Sequence, residues 1–224
     1  MYQKELCVVL RQSAYRDNDR MLTLFARDSG RIDALARGCR KQGSPLLAAS
    51  EPFCCGEYTF YVKKDRYYVN QCEVKNQFFS IHKDVRALCA ASVFLEACEK
   101  AVVWGQPGPR LFSLLVNCLY ALDENPAREA ELLAFFSIKM MDILGQRPDF
   151  TACADCGGQM GEFCRLCRGK TEWAAAAGEM LKEKSSAVLK KSFPFPAEFF
   201  RAAARLLPAL LETRLKTLDL YESL

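Results

Sequence analysis

Met21-Leu-Thr-Leu-Phe-Ala26 and Arg31-Ile-Asp-Ala-Leu-Ala36 are short apolar runs that flank Asp28-Ser29-Gly30. That trio is a turn of the kind that joins hairpin strands. Outward from it, Leu6–Leu10 is a further apolar run. Phe60-Tyr61-Val62 and Tyr67-Tyr68-Val69 flank Lys63–Arg66 and predict a second hairpin. About five short strands at turn-like spacing before residue 78 are consistent with a small barrel.

From about residue 82 the period changes to a helical one. Val85, Leu88, Ser92, Leu95 and Val102 recur at helical spacing, up to a Gly-Gln-Pro-Gly-Pro break at 105–109. Leu111, Leu114, Leu115, Cys118 and Leu119 predict a second helix, closed by Asn125-Pro126. Leu132, Phe135, Phe136 and Met140 predict a third, ending near Gly145 before Pro148. A cysteine-rich segment occupies 151–170, followed by an Ala-rich helix near 173–190 and a Phe-Pro-Phe-Pro break at 193–196. The last predicted helix, near 197–212, carries a kink at Pro208. The domain boundary falls at 78–83, where strand patterning gives way to helix.

The 224 residues carry 31 Lys and Arg against 27 Asp and Glu, a net charge of +4. A mildly basic surface suits nucleic acid or an acidic partner without requiring either. No stretch approaches the roughly 18 apolar residues of a membrane span. No secretory signal is apparent, and the scatter of cysteines outside 151–170 gives no disulfide framework. These features predict a reduced cytoplasmic protein. The eight scattered cysteines mostly sit inside apolar runs, as small hydrophobes do.

Four cysteines form two Cys-x-x-Cys pairs, Cys153/Cys156 and Cys164/Cys167. Two such pairs close a tetrahedron of thiolates about one metal, at about 2.3 Å for zinc. Four thiolates fill zinc's coordination shell and leave no open position for water, so the expected Zn2+ is structural. Iron in the same tetrahedron is the rival reading.

No His-Glu-x-x-His helix, Gly-x-Ser-x-Gly elbow, phosphate loop or dinucleotide fingerprint occurs. His82 is the single histidine. An enzyme is not expected. A basic stretch stands out instead: Arg31, Arg37, Arg40 and Lys41 oppose only Asp33 before a Gly/Ser/Pro loop that ends at Pro45. Lys63, Lys64 and Arg66 add charge near Tyr58, Tyr61, Tyr67 and Tyr68. Two readings fit these residues. One is single-stranded nucleic acid, with cations on the backbone and rings on the bases. The other is a solvated turn with core tyrosines.

Several segments resemble the RecO family of bacterial recombination mediators. They are Tyr15-Arg-Asp-Asn-Asp19-Arg20, Gly30-Arg31, Ala36-Arg37-Gly38-Cys39-Arg40-Lys41 with Ser44, Leu144-Gly145-x-x-Pro148 ahead of the first cysteine pair, and Arg214-Leu-Lys216. Thr217 stands where the family usually has serine, and the linker between the cysteine pairs is shorter than is common. The resemblance implies an α+β chain of two domains. An N-terminal OB-fold barrel (1–80) precedes a helical domain (81–224) that carries the zinc knuckle at 151–170. It implies a DNA-repair protein that binds single- and double-stranded DNA and anneals complementary strands. It also implies help in loading RecA onto strands coated by single-stranded DNA-binding protein (SSB). The implied partners are RecR and the acidic, apolar-ended tail of SSB; the implied location is the cytoplasm, at the nucleoid. Arg31, Arg37, Arg40 and Lys41 take the DNA-binding role by the motif they match, with Arg20 beside them. Arg110, Arg128 and Lys139 are candidates to rim an SSB-tail pocket. A zinc-ribbon factor of transcription or translation is the alternative reading.

Overall fold

The structure, a computed structural model, describes residues 1–147 and 171–224. The described chain gathers into two compact units, Met1–Phe79 with Leu95–Phe112, and Ser80–Phe94 with Ser113–Leu224.

The first unit holds a closed five-stranded barrel: β1 (Tyr2–Tyr15), β2 (Asp19–Ala26), β3 (Gly30–Ala36), β4 (Cys55–Lys63) and β5 (Arg66–Asn76). Strand order is β1-β2-β3-β5-β4, with β1 returning to pair with β4. All pairings are antiparallel except β3 with β5. This arrangement is consistent with the expected OB-fold. One long strand closes it: β1 pairs with β4 over Tyr2–Val8 and with β2 over Cys7–Tyr15, shifting register between Val9 and Arg11. A bulge bends a strand and raises its twist, which lets one strand serve both sides of a barrel.

Both hairpins predicted from the sequence form. In the first, Gly30 adopts φ +72°. A Cβ there would also sit 2.3 Å from the Gln106 carbonyl oxygen and 2.5 Å from that of Val103. Only glycine meets both demands. In the second, Lys64 and Asp65 both have positive φ, as a two-residue type I′ turn requires. The barrel interior takes alternate residues: Leu22, Leu24 and Ala26 from β2, Ile32, Ala34 and Ala36 from β3, Tyr58 and Phe60 from β4. Phe25 points the other way and meets Phe112 edge-on at 5.4 Å. The 95–112 segment thus buries the outer face of β2 as well.

The second unit is helical. Its parts come from α1 (Val85–Ala101), α2 (Pro109–Glu124), α3 (Glu129–Ile143), α4 (Thr171–Lys182), α5 (Ala197–Ala204), α6 (Leu206–Leu210) and α7 (Lys216–Glu222). α3 is its axis, buried on every side from Glu131 to Met141. Phe136 packs on Phe94 at 4.6 Å, and Phe135 stacks on Phe193 at 5.4 Å. Pro208 acts as expected in kind but one turn early: the helix breaks at Arg205. Proline's ring opposes the carbonyl four residues back, at Ala204, where α5 stops. Among the described residues no helix is long and apolar enough to cross a membrane.

The eight scattered cysteines are free thiols, seven of them buried. Burial pushes the Cys55 thiol up to about 12, and holds that of Cys7 well above its ordinary value. Cys7 and Cys55 therefore stay protonated at neutral pH, and the seven buried thiols pack as small apolar groups. Cys153, Cys156, Cys164 and Cys167 lie outside the described residues. Among the described residues, no cluster of His, Cys, Asp and Glu is arranged to hold a metal.

Candidate nucleic-acid interface

β3 ends at the buried Ala36, and the chain then turns through Arg37–Lys41. The turn is held by the β1–β2 loop and the first residue of β2. Gly38, at φ +64°, donates its N–H to the Asp19 carboxylate at 2.7 Å. The Arg40 N–H donates to the Asn18 carbonyl at 3.1 Å, and Cys39 is fully buried behind them. Lys41 N–H closes the turn onto the Gly38 carbonyl at 3.2 Å. A fixed backbone therefore presents three exposed cations, Arg37, Arg40 and Lys41. Among the described residues none of the three is paired with a carboxylate. Arg37 instead lies over the ring of Tyr68, 4.6 Å from its centroid.

The other two arginines of the predicted DNA face are placed differently. The Arg20 guanidinium points at Ser50 Oγ (2.9 Å) and Glu51 Oε1 (2.6 Å), with its side chain 14% exposed. Arg31 donates twice to Asp33, at 3.1 and 3.3 Å. Asp33 also accepts from Thr23 Oγ1 at 2.9 Å, and Arg11 bridges Thr23 to Glu99. Arg31 lies near the start of β3 and Arg37 just past its end, so about 20 Å of strand separates them, at about 3.3 Å per residue. The structure therefore groups Arg37, Arg40 and Lys41, and matches Arg20 and Arg31 with acceptors from the chain itself.

The tyrosines divide too. Tyr58 is a core residue, fully buried, its hydroxyl donating to the Ala49 carbonyl at 2.6 Å. Tyr67 meets Phe60 and Trp104 edge-on at 5.7 and 5.5 Å. Tyr61 and Tyr68 face outward as cross-strand partners, and Tyr2 of β1 pairs with Tyr61 on its other side. The three rings form a row across β1, β4 and β5, with centroids 5.6 Å and 6.4 Å apart. The row floors a recess of about 390 Å³ whose charged lining, among the described residues, is Arg37 and Lys63. A second recess of about 500 Å³ adjoins it at Arg37 and Tyr68, lined by Trp104, Arg16 and Arg66 together with Asp19, Asp33 and Asp65. Sequence reasoning missed Tyr2 and Trp104, because only strand register and the return of the 95–112 segment bring them to this face.

The cations considered in the helical unit are structural. Arg128 grips Glu131 with two donors, at 2.6 and 3.1 Å, and gives others to the Val188 and Lys191 carbonyls. Glu131 also accepts the Phe193 N–H at 2.9 Å. Lys139 is buried, its Nζ donating to the Leu181 and Glu183 carbonyls at 3.0 and 2.8 Å. A cation there complements the C-terminal end of α4. Arg110 is exposed and lies in the first unit.

Comparison with known proteins gives a consistent result. The family model described as Recombination protein O N terminal matches residues 1–78, and that described as Recombination protein O C terminal matches 82–220. The DNA repair protein RecO of Alkaliphilus metalliredigens is 35% identical over 172 residues, covering 72% of this chain and 70% of its own. That of Acetivibrio thermocellus is 30% identical over 156 residues, covering 70% of this chain and 62% of its own. That of Listeria welshimeri is 33% identical over 156 residues, covering 70% and 61%. The aligned stretch thus spans less than two thirds of the latter two relatives.

Proposed function

The chain belongs to the RecO family of recombination proteins, and from that premise we propose that it is a DNA-binding recombination mediator. In this reading it binds single- and double-stranded DNA on the barrel, anneals complementary strands, and helps RecA load onto SSB-coated strands. RecR and the SSB tail are its proposed protein partners. The family favours repair over a role in transcription or translation.

The observation that carries the reading is the loop Arg37–Lys41, where a fixed backbone leaves three cations with no carboxylate partner among the described residues. Two polyanions repel until their phosphates are neutralised. Unpaired cations do that by releasing counterions, at no cost of breaking protein ion pairs first. Arg31 and Arg20 flank the loop and must leave Asp33 and Glu51 to join it, so their contribution is smaller. No covalent step is needed. Arg128 and Lys139 already donate to main-chain carbonyls, so an SSB-tail groove must draw its cations from elsewhere.

Cys153, Cys156, Cys164 and Cys167 would hold one structural Zn2+ per chain. Their donor set, four thiolates in two Cys-x-x-Cys pairs, fits zinc and leaves no open position. Metal analysis should return one zinc on a colourless protein. Visible absorption would replace zinc by iron in this account. Cys153→Ser should damage solubility more than DNA affinity per folded molecule.

The function is tested by fluorescence annealing of complementary strands coated with SSB, without ATP. The wild-type chain should anneal them, and failure to anneal or to bind SSB contradicts the proposal.

A further inference from the structure

The geometry points to the Tyr2–Tyr61–Tyr68 row as a track for unpaired nucleobases, one that lets this chain tell a single strand from a duplex. The inference rests on the DNA-binding reading above and goes further, separating base contacts from phosphate contacts on the barrel.

Register builds the row. Tyr2 pairs with Tyr61, and Tyr61 with Tyr68, so three outward side chains line up across three neighbouring strands. The rings are tilted by 53° and 38° to one another, so none covers its neighbour, while Arg37 lies over one face of Tyr68. Tyr2 is 64% and Tyr61 39% exposed, a poor position for rings whose only task is packing. Tyr58 and Phe60 on β4 show the alternative, stacked at 5.9 Å and wholly buried.

Charge decides what lies on the row. Arg37 and Lys63 are its only charged neighbours in the recess, and neither is paired with a carboxylate among the described residues. The adjoining recess mixes Asp19, Asp33 and Asp65 with its arginines and is a worse path for phosphates. Arg37 belongs both to the cationic loop and to the row, because its guanidinium lies over Tyr68. A strand whose phosphates reach Arg37 therefore brings its bases to the tyrosines.

Spacing decides which form of nucleic acid fits. Successive centroids lie 5.6 and 6.4 Å apart. Bases stacked in a duplex rise only ~3.4 Å, and both their faces are already covered. Bases splayed from an extended strand can each meet a ring, and every base has a π-face, so the track tolerates any sequence. A duplex is left with the cationic loop alone.

The test uses the full chain and fluorescence anisotropy at fixed salt. Its probes are a labelled single strand, a hairpin duplex, and an abasic strand that keeps the phosphates but lacks the bases. Tyr61→Leu with Tyr68→Leu should weaken single-strand binding about 30-fold, two stacking contacts' worth, and leave the duplex unchanged. Tyr61→Phe with Tyr68→Phe keeps both rings and should bind as wild type. The wild-type chain should bind the abasic strand at least as weakly as the leucine variant, which keeps Tyr2, binds the normal one. That arm needs no variant to fold. Equal wild-type affinity for abasic and normal strands overturns the track, as does a leucine variant that loses duplex and single strand alike. An RNA strand run in parallel shows whether the track accepts both sugars. A leucine-variant loss on either strand supports it, and no loss on both overturns it. Wild-type protein that binds no nucleic acid at all defeats the DNA reading itself. Binding of both forms with an unimpaired leucine variant defeats only the track.

Discussion

Arg37, Arg40 and Lys41 of the barrel unit and Arg128 and Lys139 of the helical unit carry the same charge into opposite surroundings. On the barrel, main-chain bonds from Gly38 and Arg40 to Asp19 and Asn18 fix the loop, and the side chains are left over. In the helical unit the side chains do the fixing, as Arg128 binds Glu131 and two carbonyls while Lys139 binds two more. A cation is available to a phosphate only where the protein has supplied no acceptor of its own. Charge counted along the sequence does not separate these cases.

The strongest way to break the comparison is at Glu131, which holds Arg128 and the Phe193 N–H together. Glu131→Ala takes the carboxylate from a guanidinium only 17% exposed, leaving it two carbonyls, strips the buried Phe193 N–H of its acceptor, and should cost about 3 kcal/mol. The melting temperature should fall by roughly 10 °C for a chain of this size, with DNA affinity per folded molecule unchanged. An unchanged melting temperature would show that this hub is dispensable. Gly30→Ala comes next, with a loss of about 2 kcal/mol or more by urea unfolding, since φ +72° and two carbonyls both exclude a Cβ.

Lys139→Met sharpens the point by keeping bulk and removing charge. It should cost about 1–2 kcal/mol, because α4 loses the cation at its last carbonyls. A loss of DNA binding without a loss of stability would instead move Lys139 to the functional class. Arg31→Ala should have the smallest effect, about 0–1 kcal/mol, as is usual for a partly exposed pair. Its DNA affinity should stay near that of the wild type, whereas a large drop would place Arg31 with the loop.

The barrel was legible because its turns announce themselves: Asp28-Ser29-Gly30 and Lys63–Arg66 are where the chain reverses. The helices were legible from their period and breakers, but not always their faces. In α1, helical spacing puts Val85 in the apolar stripe, yet it is 63% exposed, while Ala87, Ala90, Ala91 and Ala97 are fully buried. Small residues let helices approach closely, and a hydropathy pattern understates them. α7, seven residues long, is too short to show a period and went unread. On the candidate interface, residue type led to the basic stretch and the tyrosines. Which tyrosines face out depended on register, so Tyr58 went inside and Tyr2 joined the row. Which arginines are unpaired depended on acceptors far along the chain, such as Ser50 and Glu51 for Arg20.

The central claim is that Arg37, Arg40 and Lys41 meet DNA because no carboxylate among the described residues occupies them. It is tested most directly by a salt titration of single-strand binding, comparing wild type with the Arg37→Ala, Arg40→Ala, Lys41→Ala triple variant. Losing three phosphate contacts should weaken binding and flatten the slope of log K against log salt by about 2. The melting temperature should change little, since no ion pair among the described residues is lost and the Arg37–Tyr68 contact is at the surface. A variant with the wild-type slope and affinity would contradict the account.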